Sequence, residues 1–175
     1  MDTAKDSLVV RLDSLIQTAA VAALLGDIVP RVRRRLEASS GPMAWEVLPR
    51  VAFGRDLSEA IRSCWIFVIR AGASTGPERH PNSHQRSCSL IGTGAFELHD
   101  GTAWRRHTLT SDAHDEGGRR WISIPPSTWH RLRVGSGSWA MVSFHTVAAD
   151  DLIEENPHDP DRLDGPTRQA RYSER

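Results

Sequence analysis

The chain is short of cysteine, of lysine and of long apolar runs, and each shortage excludes something. Cys64 and Cys88 are the only cysteines in 175 residues and form no CxxC pair, which excludes a zinc-thiolate site and suits a reducing compartment. Cytoplasm is therefore the expected location. Lys5 is the only lysine, and with basic and acidic residues both at 22 the net charge is zero. No overall positive field gathers nucleic acid or an anionic membrane surface, so neither is an expected partner. The longest apolar run near the start, 19–25, is far too short to span a bilayer and follows acidic residues, so no signal peptide or membrane segment is expected. No internal repeat is visible.

What is present is globular: 39% hydrophobic and 25% charged residues, in a length that suits one domain and buries about 70% of its unfolded surface. Leu8, Leu12, Leu15, Ile16, Ala19, Ala23 and Leu24 recur at helical spacing, and Gly26 is expected to end that helix. A second, shorter helix carries Ile28, Val29, Val32 and Leu36 on one side and Arg31, Arg33, Arg34 and Arg35 on the other, up to the breaker at 39–42. With no aromatic residues interleaved, the arginines read as a solvated face. Asp56-Leu-Ser-Glu59 has the form of a capping box on a helical turn or two.

From Cys64 onward the pattern changes to short strand-like runs separated by Gly, Asp, Ser and Pro: 64–70, 88–91, 95–98, 104–109, 121–124, 130–134 and 139–147. Such spacing indicates a sandwich or small barrel. Asp150 can cap a short helix to Glu155, and 156–175, rich in Pro, Asp and Arg, reads as a flexible tail. The expected organisation is an N-terminal helical extension over 1–60, a barrel over 61–155 and the tail over 156–175.

Two stretches carry chemistry. In Glu78-Arg-His80-Pro-Asn-Ser-His84-Gln85, Glu78 and His80 share a face of an extended backbone and can reach one ion or substrate. His84 and Gln85 are adjacent, so at most one of them joins the same site. In Ile124-Pro-Pro-Ser-Thr-Trp-His130, a diproline turn delivers a histidine into a strand with a fixed direction.

These residues resemble the cupin superfamily, whose first motif is G-x5-H-x-H-x3 or 4-E-x6-G. Gly72, Glu78, His80, Gln85 and Gly92 reproduce its spacing, with Glu in the first His place and Gln in the Glu place. The second motif is met at Pro125 and His130, with Ser127 where glycine is usual, Arg119 at the opening Gly and Val134 at the final Asn. The likeness covers roughly 64–147 and implies a mainly β fold, a small antiparallel barrel of the jelly-roll type. It implies Glu78, His80, Gln85 and His130 as ligands of one divalent metal. Two histidines and a carboxylate favour Fe(II); Mn, Ni, Co, Cu and Zn accept the same donors. His84 could replace Gln85, since strand register decides which faces inward.

A narrower likeness is to the thiol dioxygenases, whose metal strand is matched by Glu78-Arg-His80-Pro-Asn82-Ser83-His84-Gln85. That family's late Ser-x-His-x-Tyr triad is matched by Ser143 and His145, with Val147 in the tyrosine place. It implies that Ser143 and His145 face the interior as catalytic groups. Arg70 is a candidate partner for a substrate carboxylate, with a structural ion pair as the plainer alternative. His99, His107, His114 and His158 read as surface residues, and the six tryptophans as core.

The expectation is a metal-dependent cupin enzyme acting on a small molecule, foremost a non-haem Fe(II) oxygenase. The alternatives are a redox-neutral isomerase or lyase, and a non-catalytic metal- or metabolite-binding module. The resemblance implies a homodimer, for which the apolar stripe of 8–24 offers a surface.

Overall fold

The computed structural model describes residues 6–112 and 119–171. Two helices open it, α1 (Ser7–Ile16) and α2 (Ala19–Glu37), which meet at 77°. Asp6 caps α1 by accepting from the Leu8 N–H at 3.0 Å. The break falls at Gln17–Thr18 and not at Gly26, so α2 runs through both Gly26 and Pro30. An interior proline removes one helical hydrogen bond and costs about 3 kcal/mol. Burial of Val21, Leu25, Ile28, Val29, Val32 and Leu36 along one face offsets that cost. Among the described residues no single helix is long and apolar enough to cross a membrane.

Among the described residues ten strands follow: β1 (Met43–Leu48), β2 (Ser63–Ile69), β3 (Gln85–Ile91), β4 (Thr93–His99), β5 (Trp104–Thr110), β6 (Trp121–Ile124), β7 (His130–Val134), β8 (Trp139–His145), β9 (Ile153–Pro157) and β10 (Thr167–Arg171). They form a five-stranded sheet in the order β1-β2-β8-β3-β6, a three-stranded sheet β5-β4-β7 and the hairpin β9-β10, with antiparallel pairing between strands throughout. Isolated bridges at Glu78–His130, Ser74–Arg133 and Leu109–Arg119 tie the two larger sheets together at their margins.

The central strands β2 and β8 of the five-stranded sheet are buried on both faces. Along β2, Cys64, Ile66 and Val68 pack under the helices, while Trp65, Phe67 and Ile69 face the barrel interior. This alternation divides the protein into two cores. Trp139, wholly buried, lies so close to β4 that a Cβ on Gly94 would come within 2.1 Å of its ring. Glycine is required there by contact and not by its φ.

Several expectations are corrected. The stretch 1–60 is not purely helical, because Met43–Leu48 is a strand paired with β2. Residues 56–59 form turns, and beyond Asp150 a single 3-10 turn, Ala149–Asp151, leads into strand β9 in place of a helix. The expected tail from 156 is instead half of a hairpin, with Thr167–Arg171 paired to Ile153–Pro157. Its apolar content is low because the hairpin is held by ladder hydrogen bonds and by polar ties to the 77–82 loop. The stripe at 8–24 is not a free dimer surface, since Val9, Leu12, Leu15, Ile16 and Val21 are buried against the protein's own sheet.

Candidate metal centre

The segment between β2 and β3 crosses the barrel mouth in extended form. Glu78 is bridged to His130 on β7, each accepting the other's backbone N–H at 2.8–2.9 Å. That pairing sets Glu78 beside His130. Two residues on, His80 returns to the same face, and one ligand atom from each of Glu78, His80 and His130 lies within 4.8 Å of the others. Donors bonded to one ion at about 2.1 Å lie no more than about 4.2 Å apart, and Glu78 Oε1 and His130 Nε2, at 3.4 Å, meet that limit.

Both imidazoles are fixed by backbone carbonyls. His80 Nδ1 lies 3.0 Å from the Ile153 carbonyl, and His130 Nδ1 lies 3.0 Å from that of Thr128. In the neutral ring each Nδ1–H donates, which puts the lone pair on Nε2. His130 is 1% exposed, its Nε2 makes no hydrogen bond, and its neighbour there is the Glu78 carboxylate at 3.4 Å. A buried acceptor without a donor costs about 1–3 kcal/mol. A cation at this point removes that cost, so the residues fit a divalent metal. The turn that delivers His130 is itself special: Ser127 has φ +61°, the left-handed conformation that favours glycine, and its N–H donates to the His80 carbonyl at 3.0 Å.

The register of β3 decides between the adjacent candidates. Gln85 stands opposite His145 across the β3-β8 ladder, so their side chains share a face and both line the cavity with Glu78 and His80. The Gln85 amide nitrogen donates to Ser87 Oγ at 3.0 Å, and its buried Oε1 has no partner. His84 faces the other way. Its Nε2 lies 3.0 Å from Ser123 Oγ, which donates to Asp6 at 2.9 Å, and burial followed by the nearby Arg86 charge lowers the His84 pKa.

His145 stands with its ring centre 5.3 Å from that of His80 and its Nδ1 3.3 Å from Ser83 Oγ. Burial, reinforced by His80 and His130, pushes its pKa well below the usual histidine value, so the ring is neutral at physiological pH. Ser143 shares that face of β8, but its Oγ lies 2.7 Å from Ser87 Oγ, which places it behind Gln85. Arg70 is not at the site: its guanidinium donates to the carbonyls of Gly41, Leu36 and Ser39 and fastens the end of α2 to β2.

Apolar side chains complete the cavity: Met43, Phe67, Phe96, Leu132, Met141 and Leu152. It has room for about 20 Å³, near the least that holds one water. Met43 carries no local mark of its role, since it sits on a strand where a helical extension was expected. Ser87 was findable, since two residues after Gln85 it must share its face. His99 and His107 are half-buried, His158 is exposed, and His114 lies outside the described residues. Both cysteines are buried free thiols; burial pushes Cys64 well up and Cys88 up to about 12.

The chain is thus a small antiparallel barrel with two imidazoles and a carboxylate gathered at its mouth as a candidate metal site. No protein-family model and no curated protein matches the sequence. Among solved structures, the capsular polysaccharide assembling protein CapF from Staphylococcus aureus superposes with a TM-score of 0.51 at 9% identity, over 65% of this chain and 30% of that one. An oxalate oxidase in complex with glycolate gives 0.47 at 16% identity, over 63% of this chain and 53% of that one. The chain thus spans less than two thirds of either protein. Its fold is that of the cupin superfamily, with the N-terminal helices laid on the outer face of the barrel. Within that fold Glu78, His80 and His130 form a site able to hold a divalent metal ion.

Proposed function

We propose that this protein is a metal-dependent cupin enzyme acting on a small molecule, with non-haem Fe(II) oxygenase as its reaction class. The observation that carries this is the convergence of Glu78, His80 and His130 within 4.8 Å, the two-histidine, one-carboxylate set that holds iron on one face and leaves other positions open. Bound there, Fe(II) would supply the electrons that couple a small substrate to O2. The chain's own groups do the rest. The apolar lining excludes bulk water, and neutral His145, oriented by Ser83, can take a proton from a substrate held beside His80. Gln85, whose buried Oε1 has no partner, would serve as a further neutral donor toward the ion, with Ser87, itself bonded to Ser143, holding its amide in place.

The test is metal content. Untagged protein reconstituted with Fe(II) should hold about one ion per chain, and Glu78→Ala, His80→Ala and His130→Ala should each lose it while remaining folded by circular dichroism. A wild type without stoichiometric metal, or variants that retain it, would overturn the proposal. Oxygen uptake with candidate substrates then fixes the class. Turnover that persists without O2 points to redox-neutral chemistry on the same residues, and stable metal binding without turnover to a non-catalytic module.

A further inference from the structure

The metal cavity holds little beyond an ion and one water, so most of any organic substrate must lie outside it. Two of its lining residues show where. Met43 and Glu78 also line an open surface cleft of about 380 Å³, between the 74–78 segment and the β9-β10 hairpin. Met43 projects from β1, the edge strand of its sheet, and stands between the two spaces. A methionine is a flexible partition, having three rotatable bonds and no branch.

We propose that this cleft is the antechamber of the metal site and that it selects a small carboxylate substrate through Arg168. This rests on the cavity being the enzyme's reaction centre. Pro42, Pro77, Pro157 and Pro160 make up much of the cleft wall and offer no backbone donors. The charged residues lining it are Glu78 and Arg168. Glu78 belongs to the metal. With a divalent ion bound, this one carboxylate and the neutral donors His80, His130 and Gln85 leave the centre with a net positive charge. Arg168 adds a second positive charge at the outer end. A cationic substrate is repelled at both ends, whereas a molecule with an anionic end and a neutral donor end is matched at both. One planar guanidinium suits a planar carboxylate, which it can hold through two parallel hydrogen bonds.

The strand that carries Arg168 is also tied to the segment that carries Glu78. Arg168 pairs with Asn156, whose side-chain amide donates to the Pro77 carbonyl at 3.2 Å. Glu155, next to it, holds Arg79 at 2.5 Å. The backbone positions that carry Arg168 and Glu78 are thus held together by the fold, and substrate length should matter.

The experiment is a titration of the zinc-loaded, diamagnetic protein with ω-hydroxy carboxylates of two to six carbons, followed by backbone amide NMR at residues 74–78 and 167–170. Primary amides and phosphonates of the same lengths serve as controls. The acids should bind about tenfold tighter than the amides and tighter than the phosphonates, with an optimum length and with an advantage that shrinks in high salt. Arg168→Gln should abolish the preference without loss of zinc, and Arg168→Lys should keep part of it. Met43→Trp should leave the response near Arg168 but suppress that at Glu78, and Met43→Leu should preserve both. Equal binding of acids and amides, a preference for phosphonates, or an undiminished acid preference in Arg168→Gln would overturn the carboxylate assignment while the metal site stood. An unchanged Glu78 response in Met43→Trp would overturn the antechamber. A wild type that holds no metal would overturn both this inference and the enzyme proposal beneath it.

Discussion

Single residues in this protein act through which way they face. His84 and Gln85 are neighbours, yet Gln85 looks into the metal cavity and His84 toward Asp6 through Ser123. Gln85→Ala should therefore shift the visible spectrum of the cobalt-loaded protein, while His84→Ala should leave it near wild type; the reverse order would mean that the β3 register differs from the one described. Ser127 makes a second case. It holds a left-handed φ of +61° in the turn that delivers His130, without the freedom glycine has there. Ser127→Gly should raise stability by up to about 1 kcal/mol in urea titration, with metal affinity unchanged. A loss of stability would mean that the serine hydroxyl contributes more than the strain removes. Extended-strand spacing put Glu78 and His80 on one face, and the resemblance to the cupin motifs joined His130 to them as a candidate ligand. Neither could choose between His84 and Gln85, because that choice depends on pairing with β8, more than fifty residues away.

At the scale of elements, α1 is fastened to the sheet as well as laid upon it. The Asp6 carboxylate accepts from the Leu8 N–H, from Arg86 Nε at 2.8 Å and from Ser123 Oγ at 2.9 Å, joining the helix start to β3 and β6. Burial alone would raise the Asp6 pKa, but the hydrogen bonds from Arg86 and Ser123 outweigh it and hold the carboxyl below its ordinary 3.8. A depressed acid pKa stabilises the fold above the unfolded value and ceases to do so as pH falls through the folded one. Asp6→Asn, which keeps the cap because asparagine caps as well as aspartate, should thus cost about 2 kcal/mol at pH 7, from the lost charged hydrogen bonds with Arg86 and Ser123, and progressively less below pH 3.8. Thermal melts of both proteins at pH 7 and pH 3 check this; a gap that stays constant would remove Asp6 as the titrating clamp. The strands after Cys64 were legible because β-branched and aromatic runs alternate with turn residues. Strand β1 and the β9-β10 hairpin were not, since β1 is only partly buried and the buried positions of β9 are Glu154, Glu155 and Pro157, not the apolar side chains that make a strand visible in sequence.

For the molecule as a whole, the helices cover a face that the barrel cannot leave bare. Cys64, Ile66, Val68, Val142 and Phe144 pack beneath them, away from the metal cavity. Removal of residues 1–37 should expose this surface and give an aggregating protein that binds a hydrophobic dye; a soluble, metal-retaining truncation would show the layer to be dispensable. Amino-acid order by itself determined that the N-terminal stretch is helical, most of the strands, and that Glu78 and His80 share one face, because these depend on periodicity and local turn chemistry. Tertiary structure alone decided that α2 continues through Gly26 and Pro30, that the apolar stripe of α1 turns inward, that Gln85 and not His84 faces the cavity, and that Met43 lines it. Each of these is settled by burial or by ladder pairing between residues distant in the chain, and such contacts leave no local mark on the sequence that makes them.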